Sequence, residues 1–156
     1  MWFLGIDPGK TGGIAWLDDD SLEVHVVKMP PTYRDVWKAI GSPVGADNER
    51  VSCACLERIC GAPPGKTTMQ AITGVRESFG ACLMALTAAE IRCETVMPVK
   101  WQGVMGVRRP RGKEETQSEK KNRHKAKAQE LFPQEQVTHA IADALLLVEY
   151  ARRTMA

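Results

Sequence analysis

Apolar residues fall in short blocks over the first third of the chain and at helical spacing further on. The block Trp2-Phe3-Leu4-Gly5-Ile6 ends in Asp7, and the turn Pro8-Gly9-Lys10-Thr11-Gly12-Gly13 follows. This reads as a strand, a glycine-rich turn, and a second strand over Gly13–Asp18 folding back on the first. Leu22–Met29 reads as a third strand, stopped by Pro30 and Pro31, so the three form an antiparallel meander. Thr32 is placed to cap a short helix to about Ile40. Residues 41–48 are rich in Gly and Pro and read as loop. Val51–Ile59 reads as a central strand with Glu57 near its end.

From Thr68 to Ala89 the period changes to that of a helix. Met69, Ile72, Val75, Phe79, Leu83 and Leu86 recur three and four residues apart, as a core-facing stripe does. Gly74, Ser78, Ala81 and Ala85 make a second, small-residue ridge that would let another helix come close. Ile91–Met97 reads as a fifth strand ending at Pro98. Residues 101–117 show no period and carry Arg108, Arg109, Arg111 and Lys113, which suggests a mobile basic loop. Ser118–Phe132 and His139–Arg153 read as the last two helices. The order βββαβαβ followed by helices is an α/β layered pattern, a five-stranded mixed sheet flanked by helices. The chain of 156 residues is the size of one domain, 1–156, and no linker or repeat interrupts it.

Composition narrows the class. With 44% hydrophobic and 26% charged residues the chain is an ordinary globular sequence. No apolar run approaches a membrane span, and no basic-then-apolar leader opens the chain. The five cysteines form no CxxC pair, which suggests reduced thiols and a cytoplasmic setting. Cys53 and Cys55 read as small buried hydrophobes. The net charge of +2 conceals a strong asymmetry. Residues 100–128 hold ten Lys or Arg and three Glu, a net +7, while the remainder is net −5. That stretch is a candidate contact for a polyanion.

Three carboxylates stand where carboxylates are costly: Asp7 closing the first strand, Glu57 near the end of the fourth, and Asp143 inside the apolar run Ile141–Leu147. Adjacent central strands would bring Asp7 and Glu57 together at one sheet edge. A helix packed there would add His139 and Asp143, four residues apart and so on one helical face. Carboxylates so close repel unless cations neutralise them, and hard oxygen donors suit Mg²⁺ or Mn²⁺. Two such ions, roughly 4 Å apart, suit phosphodiester hydrolysis. Gly61-Ala62-Pro63-Pro64-Gly65-Lys66-Thr67 imitates a nucleotide-binding loop. It has three residues between its glycines where four are needed, and two prolines remove donors. Lys66 is better read as a contact to a phosphate of the polyanion.

Taken together, Gly5-Ile6-Asp7-Pro8-Gly9-Lys10-Thr11-Gly12-Gly13, Leu56-Glu57, the Gly74–Leu86 helix, Val99-Lys100 and His139-Ala140-Ile141-Ala142-Asp143-Ala144-Leu145 resemble the RuvC family of Holliday junction resolvases. The resemblance is ordered and spans nearly the whole chain, with its first and last motifs the most specific. It implies a ribonuclease H-like fold, a homodimer, and Mg²⁺-dependent cleavage of four-way DNA junctions. It also implies that Asp7, Glu57, His139 and Asp143 are catalytic residues and metal ligands. Lys100 matches a family lysine near the site, and Lys120 or Lys121 another. Two positions depart from the pattern. Where bacterial members have Asp three residues before the final Asp, this chain has Ala140, and His139 lies four before, as in phage-like members. Where they place a Phe three residues after the strand Glu, this chain has Cys60; Trp101 is the available aromatic substitute for unstacking bases.

The sequence therefore predicts a structure-selective DNA endonuclease resolving four-way junctions by paired hydrolysis. The alternatives are a nuclease for flaps or Y-junctions, and a fragment of an actin-like ATPase, whose first hairpin also reads Asp-x-Gly-x-Thr. The small-residue ridge is the expected homodimer face.

Overall fold

The computed structural model describes residues 1–41, 51–60 and 68–155. Its strands are β1 (Trp2–Asp7), β2 (Gly13–Asp18), β3 (Val24–Lys28), β4 (Val51–Glu57) and β5 (Cys93–Val96). They form one mixed sheet in the order β3-β2-β1-β4-β5. β1, β2 and β3 pair antiparallel, as the short connections between them require, while β4 and β5 join β1 in parallel. The helices are α1 (Tyr33–Gly41), α2 (Met69–Ala88), α3 (Pro98–Val104), α4 (Gln117–Leu131) and α5 (Ala142–Met155).

Strand periodicity divides the core in two. Trp2, Leu4 and Ile6 of β1, with Ala54 and Leu56 of β4, face α1 and α2 and pack with Val36, Ile40, Cys82, Ala85 and Leu86. Phe3 of β1, with Cys53 and Cys55 of β4, faces α3, α4 and α5 and packs with Trp101, Ala128, Leu145 and Val148. The period of two then carries Asp7 and Glu57 to the α5 side, at the same end of neighbouring strands. The pairing sets Ile6 opposite Leu56, so the next residue on each strand is a carboxylate. The cysteines behave as expected: Cys53 and Cys55 are buried, burial raises both thiols above their usual range, and all five described thiols are free.

The α5 helix crosses β1 at Gly5. A Cβ added there would lie 2.2 Å from Val148 N and 2.6 Å from Ala144 O, so backbone meets backbone. Only glycine permits this approach. The turn after β1 is closed by Gly12 N–H donating to Gly9 O at 3.0 Å. At Gly12 a Cβ would lie 2.0 Å from Asp7 O, so the turn folds directly over the acid.

Several expectations need correction. The expected core stripe of α2 is rotated: Met69 is 77% exposed and Leu83 39%, while Cys82, Ala85 and Leu86 are buried. The ridge of small residues is covered only in part: among the described residues Gly74 has open space beside it and Ala81 lines two surface grooves, while Ala85 and Ser78 are engaged within the chain. Ala85 is buried with Val36 and Ile40 of α1, Ser78 Oγ accepts from Gly9 N–H at 2.9 Å, and Tyr33 Oη donates to Glu77. Bulky α1 needs a small partner on α2, and Ala85 serves that intrachain contact. Residues 101–117 are not all loop, because Pro98–Val104 forms α3, opened by a proline at its first turn. The final helix starts at Ala142, and His139 lies in the turn before it, where Ala142 N–H donates to Thr138 O. Thr68 caps α2 as expected, its Oγ1 accepting from Ala71 N–H at 3.2 Å. Among the described residues no helix is long and apolar enough to cross a membrane. The expected loop over 61–67, with Lys66, falls outside the described residues.

Candidate active site

Asp7 ends β1, Glu57 ends β4, and Asp143 occupies the first turn of α5. The helix N-terminus favours a carboxylate at that last position through its unpaired N–H groups. The three carboxylates feel one another. Burial, then Glu57, then Asp143 hold the Asp7 carboxyl well above the usual range, and Lys120 and Lys121 pull it back in part. Burial and Asp143 push Glu57 up to about 7, opposed by a hydrogen bond from Trp101 and by Lys120. Such crowding of like charge is what a bound cation relieves.

Two carboxylates are held by aromatic side chains. Trp101 Nε1–H donates to Glu57 Oε2 at 2.6 Å. His124 Nδ1 lies 2.7 Å from Asp143 Oδ1. His139 stands apart on the exposed turn, its Nε2 2.9 Å from Asn122 Oδ1. A cleft of about 330 Å³ brings together Asp7, Thr11, Lys121, His124, His139 and Asp143. Among the described residues no three His, Cys, Asp or Glu side chains stand as a ready metal cage. The donor set itself, three mutually repelling carboxylates, fits a hard divalent ion.

The predicted basic residues divide into two groups. Lys120 and Lys121 reach the carboxylates electrostatically, and Lys121 lines the cleft. Lys100 is exposed on α3, and Arg108, Arg109, Arg111 and Lys113 are exposed between α3 and α4; none of these lines the cleft. Arg123 is committed within the chain, donating to Val107 O at 3.1 Å and pairing with Glu115. That anchors the basic segment to α4.

Trp101 is the aromatic available in place of the missing Phe for unstacking bases. It is fully buried and spends its only donor on Glu57, so that role is excluded. His124 was missed altogether. A signal for it exists: in the highly charged α4, the weakly polar His124 stands one helical turn before Ala128, and these two are the buried residues of the helix.

No family model matches the chain, and no curated protein matches it by sequence. Solved structures do. The RuvC protein of Thermus thermophilus in complex with a Holliday junction substrate is similar over 98% of this chain and 96% of that one, with a TM-score of 0.64 and 16% identity. A second T. thermophilus RuvC structure is similar over 99% and 97%, with a TM-score of 0.58 and 16% identity. At that identity the likeness is one of fold, and the chain has the RuvC-like, ribonuclease H-like α/β fold that its sequence motifs implied.

Proposed function

We propose that this protein is a metal-dependent, structure-selective DNA endonuclease that resolves four-way junctions by paired phosphodiester hydrolysis. The observation that carries this reading is that the register of β1 and β4 sets Asp7 beside Glu57, while one cleft holds Asp7, Asp143 and Lys121. Fold likeness to a protein solved with a Holliday junction substrate supports the choice of substrate. Asp7, Glu57 and Asp143 would hold Mg²⁺ or Mn²⁺, with His139 at the cleft rim. Two such ions supply an activated water and a stabilised leaving oxygen. Lys120 and Lys121 bind the phosphate beside the carboxylates. His139, steadied through Nε2 by Asn122, keeps Nδ1 for a metal or for moving a proton.

A four-way junction is close to two-fold symmetric, so paired nicks call for two identical sites, and the reading includes a homodimer. The surface proposed for a second copy is the face of α1 and α2 where exposed Trp37 and Met84 line a groove with Ala81. Light scattering under cleavage conditions tests this, and a monomer there rejects it.

The deciding experiment compares cleavage of four-way, Y-shaped, flapped and linear duplex DNA in Mg²⁺. Preferential paired nicking of the four-way substrate is expected. Preference for flaps or Y-junctions would move the reading to those substrates, and no metal-dependent cutting of any of them would end it. Binding should also depend on salt, because Lys and Arg on phosphates release counterions. Replacing Arg108, Arg109 and Arg111 together by Ala should weaken junction binding and flatten the slope of log affinity against log salt by about two to three. An unchanged slope would make that segment a solvated surface.

A further inference from the structure

We propose that Trp101 and His124 are positioning residues, a pair of buried donors that each hold one oxygen of a metal-site carboxylate; this rests on the reading of Asp7, Glu57 and Asp143 given above. Crowded carboxylates repel, and free side chains would rotate apart. Here two of the three are gripped. Trp101 takes Glu57 at Oε2 and His124 takes Asp143 at Oδ1, at 2.6 and 2.7 Å. Each grip uses one oxygen and leaves the second for a cation.

The donors are fixed in place. Trp101 is 0% exposed and His124 2%. Their rings meet edge to face, with centroids 5.4 Å apart and planes at 70°. Each ring thus limits the other's rotation, and α3 and α4 are joined behind the site. A simpler account makes His124 an ordinary core residue. Its Nε2 argues otherwise, being buried without a partner among the described residues. An apolar side chain would fill that space without the cost of an unpaired nitrogen. The imidazole is explained by what its Nδ1 does. With a carboxylate as partner, Nδ1 is the donor. Two donors from two different helices both end on site carboxylates, which packing alone does not require.

α4 has a further part in this. The helix that carries His124 also carries Lys120 and Lys121, whose charges reach Asp7, and Asn122, which holds His139. One rigid helix therefore sets the phosphate contacts and two α5-side groups in register. Outer donors of this kind typically change metal affinity by about 10–100-fold when removed.

The test is Mn²⁺ binding by the DNA-free protein, followed by electron paramagnetic resonance or calorimetry, alongside the Mg²⁺ dependence of cleavage. Trp101→Phe keeps the ring contact and removes the donor. His124→Phe removes the donor, and His124→Asn returns a side-chain N–H near the position of Nδ1. Trp101→Phe and His124→Phe should bind Mn²⁺ about 10–100-fold more weakly and need correspondingly more Mg²⁺ to cut. His124→Asn should recover most of the loss. Wild-type Mn²⁺ affinity in folded Trp101→Phe overturns the proposal, whether or not His124→Phe folds. Weakened binding in His124→Asn equal to that in His124→Phe would overturn the role given to His124. If the unmodified protein binds no Mn²⁺, the functional reading fails with it; if it binds Mn²⁺ and cuts while the variants match it, only this inference fails.

Discussion

Asp7→Asn should abolish metal-dependent cleavage, by on the order of 1,000-fold or more, and yet give a protein that melts higher than the wild type in EDTA. The two effects have one cause. Asp7 is half-buried beside Glu57 and Asp143, so its charge is unfavourable in the folded chain until a cation arrives. Losing one ligand charge removes several kcal/mol of transition-state stabilisation, and each ~1.4 kcal/mol is a factor of about ten in rate. The amide fills the same volume without the repulsion. The wild type carries a matching pH signature. Asp7 and Glu57 both hold protons more tightly in the folded state than in the unfolded chain, Glu57 up to about 7. As pH rises the unfolded chain releases its protons first. Stability in EDTA should therefore fall from about pH 4–5 to about pH 7, and Asp7→Asn should reduce that fall. Mg²⁺ should raise the wild-type melting temperature more than the mutant's, since only binding to the folded state stabilises it. Thermal melts at several pH values, with and without Mg²⁺, check each sign. A mutant that melts lower in EDTA, or cuts near normally, would remove Asp7 from the site.

Gly5→Ala should be severely damaging for a change of a single methyl group. The added Cβ would lie 2.2 Å from Val148 N and 2.6 Å from Ala144 O, both in α5 backbone. Backbone cannot swing aside as a side chain can. The helix must lift, opening the core between β1 and α5, at a cost of about 3 kcal/mol or more. For a chain of this size that lowers the melting temperature by roughly 6–12 °C. Asp143 rides on α5, one residue before Ala144, so the same lift moves it away from Asp7. A displacement of about 1 Å at a reacting centre costs on the order of 100-fold in rate. Denaturant unfolding and single-turnover cleavage below the melting transition separate the two losses. A Gly5→Ala protein as stable and active as the wild type would show that α5 does not rest on β1 at this point.

Local pattern was enough to determine most elements of this protein. β1 and β2 run as the apolar blocks indicate, α2 begins at its Thr68 cap, and the three antiparallel strands follow from connections too short for a crossover. The three carboxylates were legible for a related reason: a charge set in apolar sequence is costly, so it marks itself. Tertiary structure alone decided which faces meet. The direction in which α2 turns its apolar residues depends on α1, and an exposed Met69 and a covered Ala85 are a matter of which neighbour arrives. A two-residue-periodic strand announces both of its faces; an apolar helix with small residues on several sides does not announce its partner. The start of α5 beyond His139 was likewise beyond sequence pattern, because a helical turn and an isolated turn share the same spacing. The grip of Trp101 on Glu57 and of His124 on Asp143 joins residues 44 and 19 positions apart. No periodicity links positions so separated. They meet only because α3 and α4 pack behind the sheet edge where β1 and β4 end, and that packing is set by the whole core.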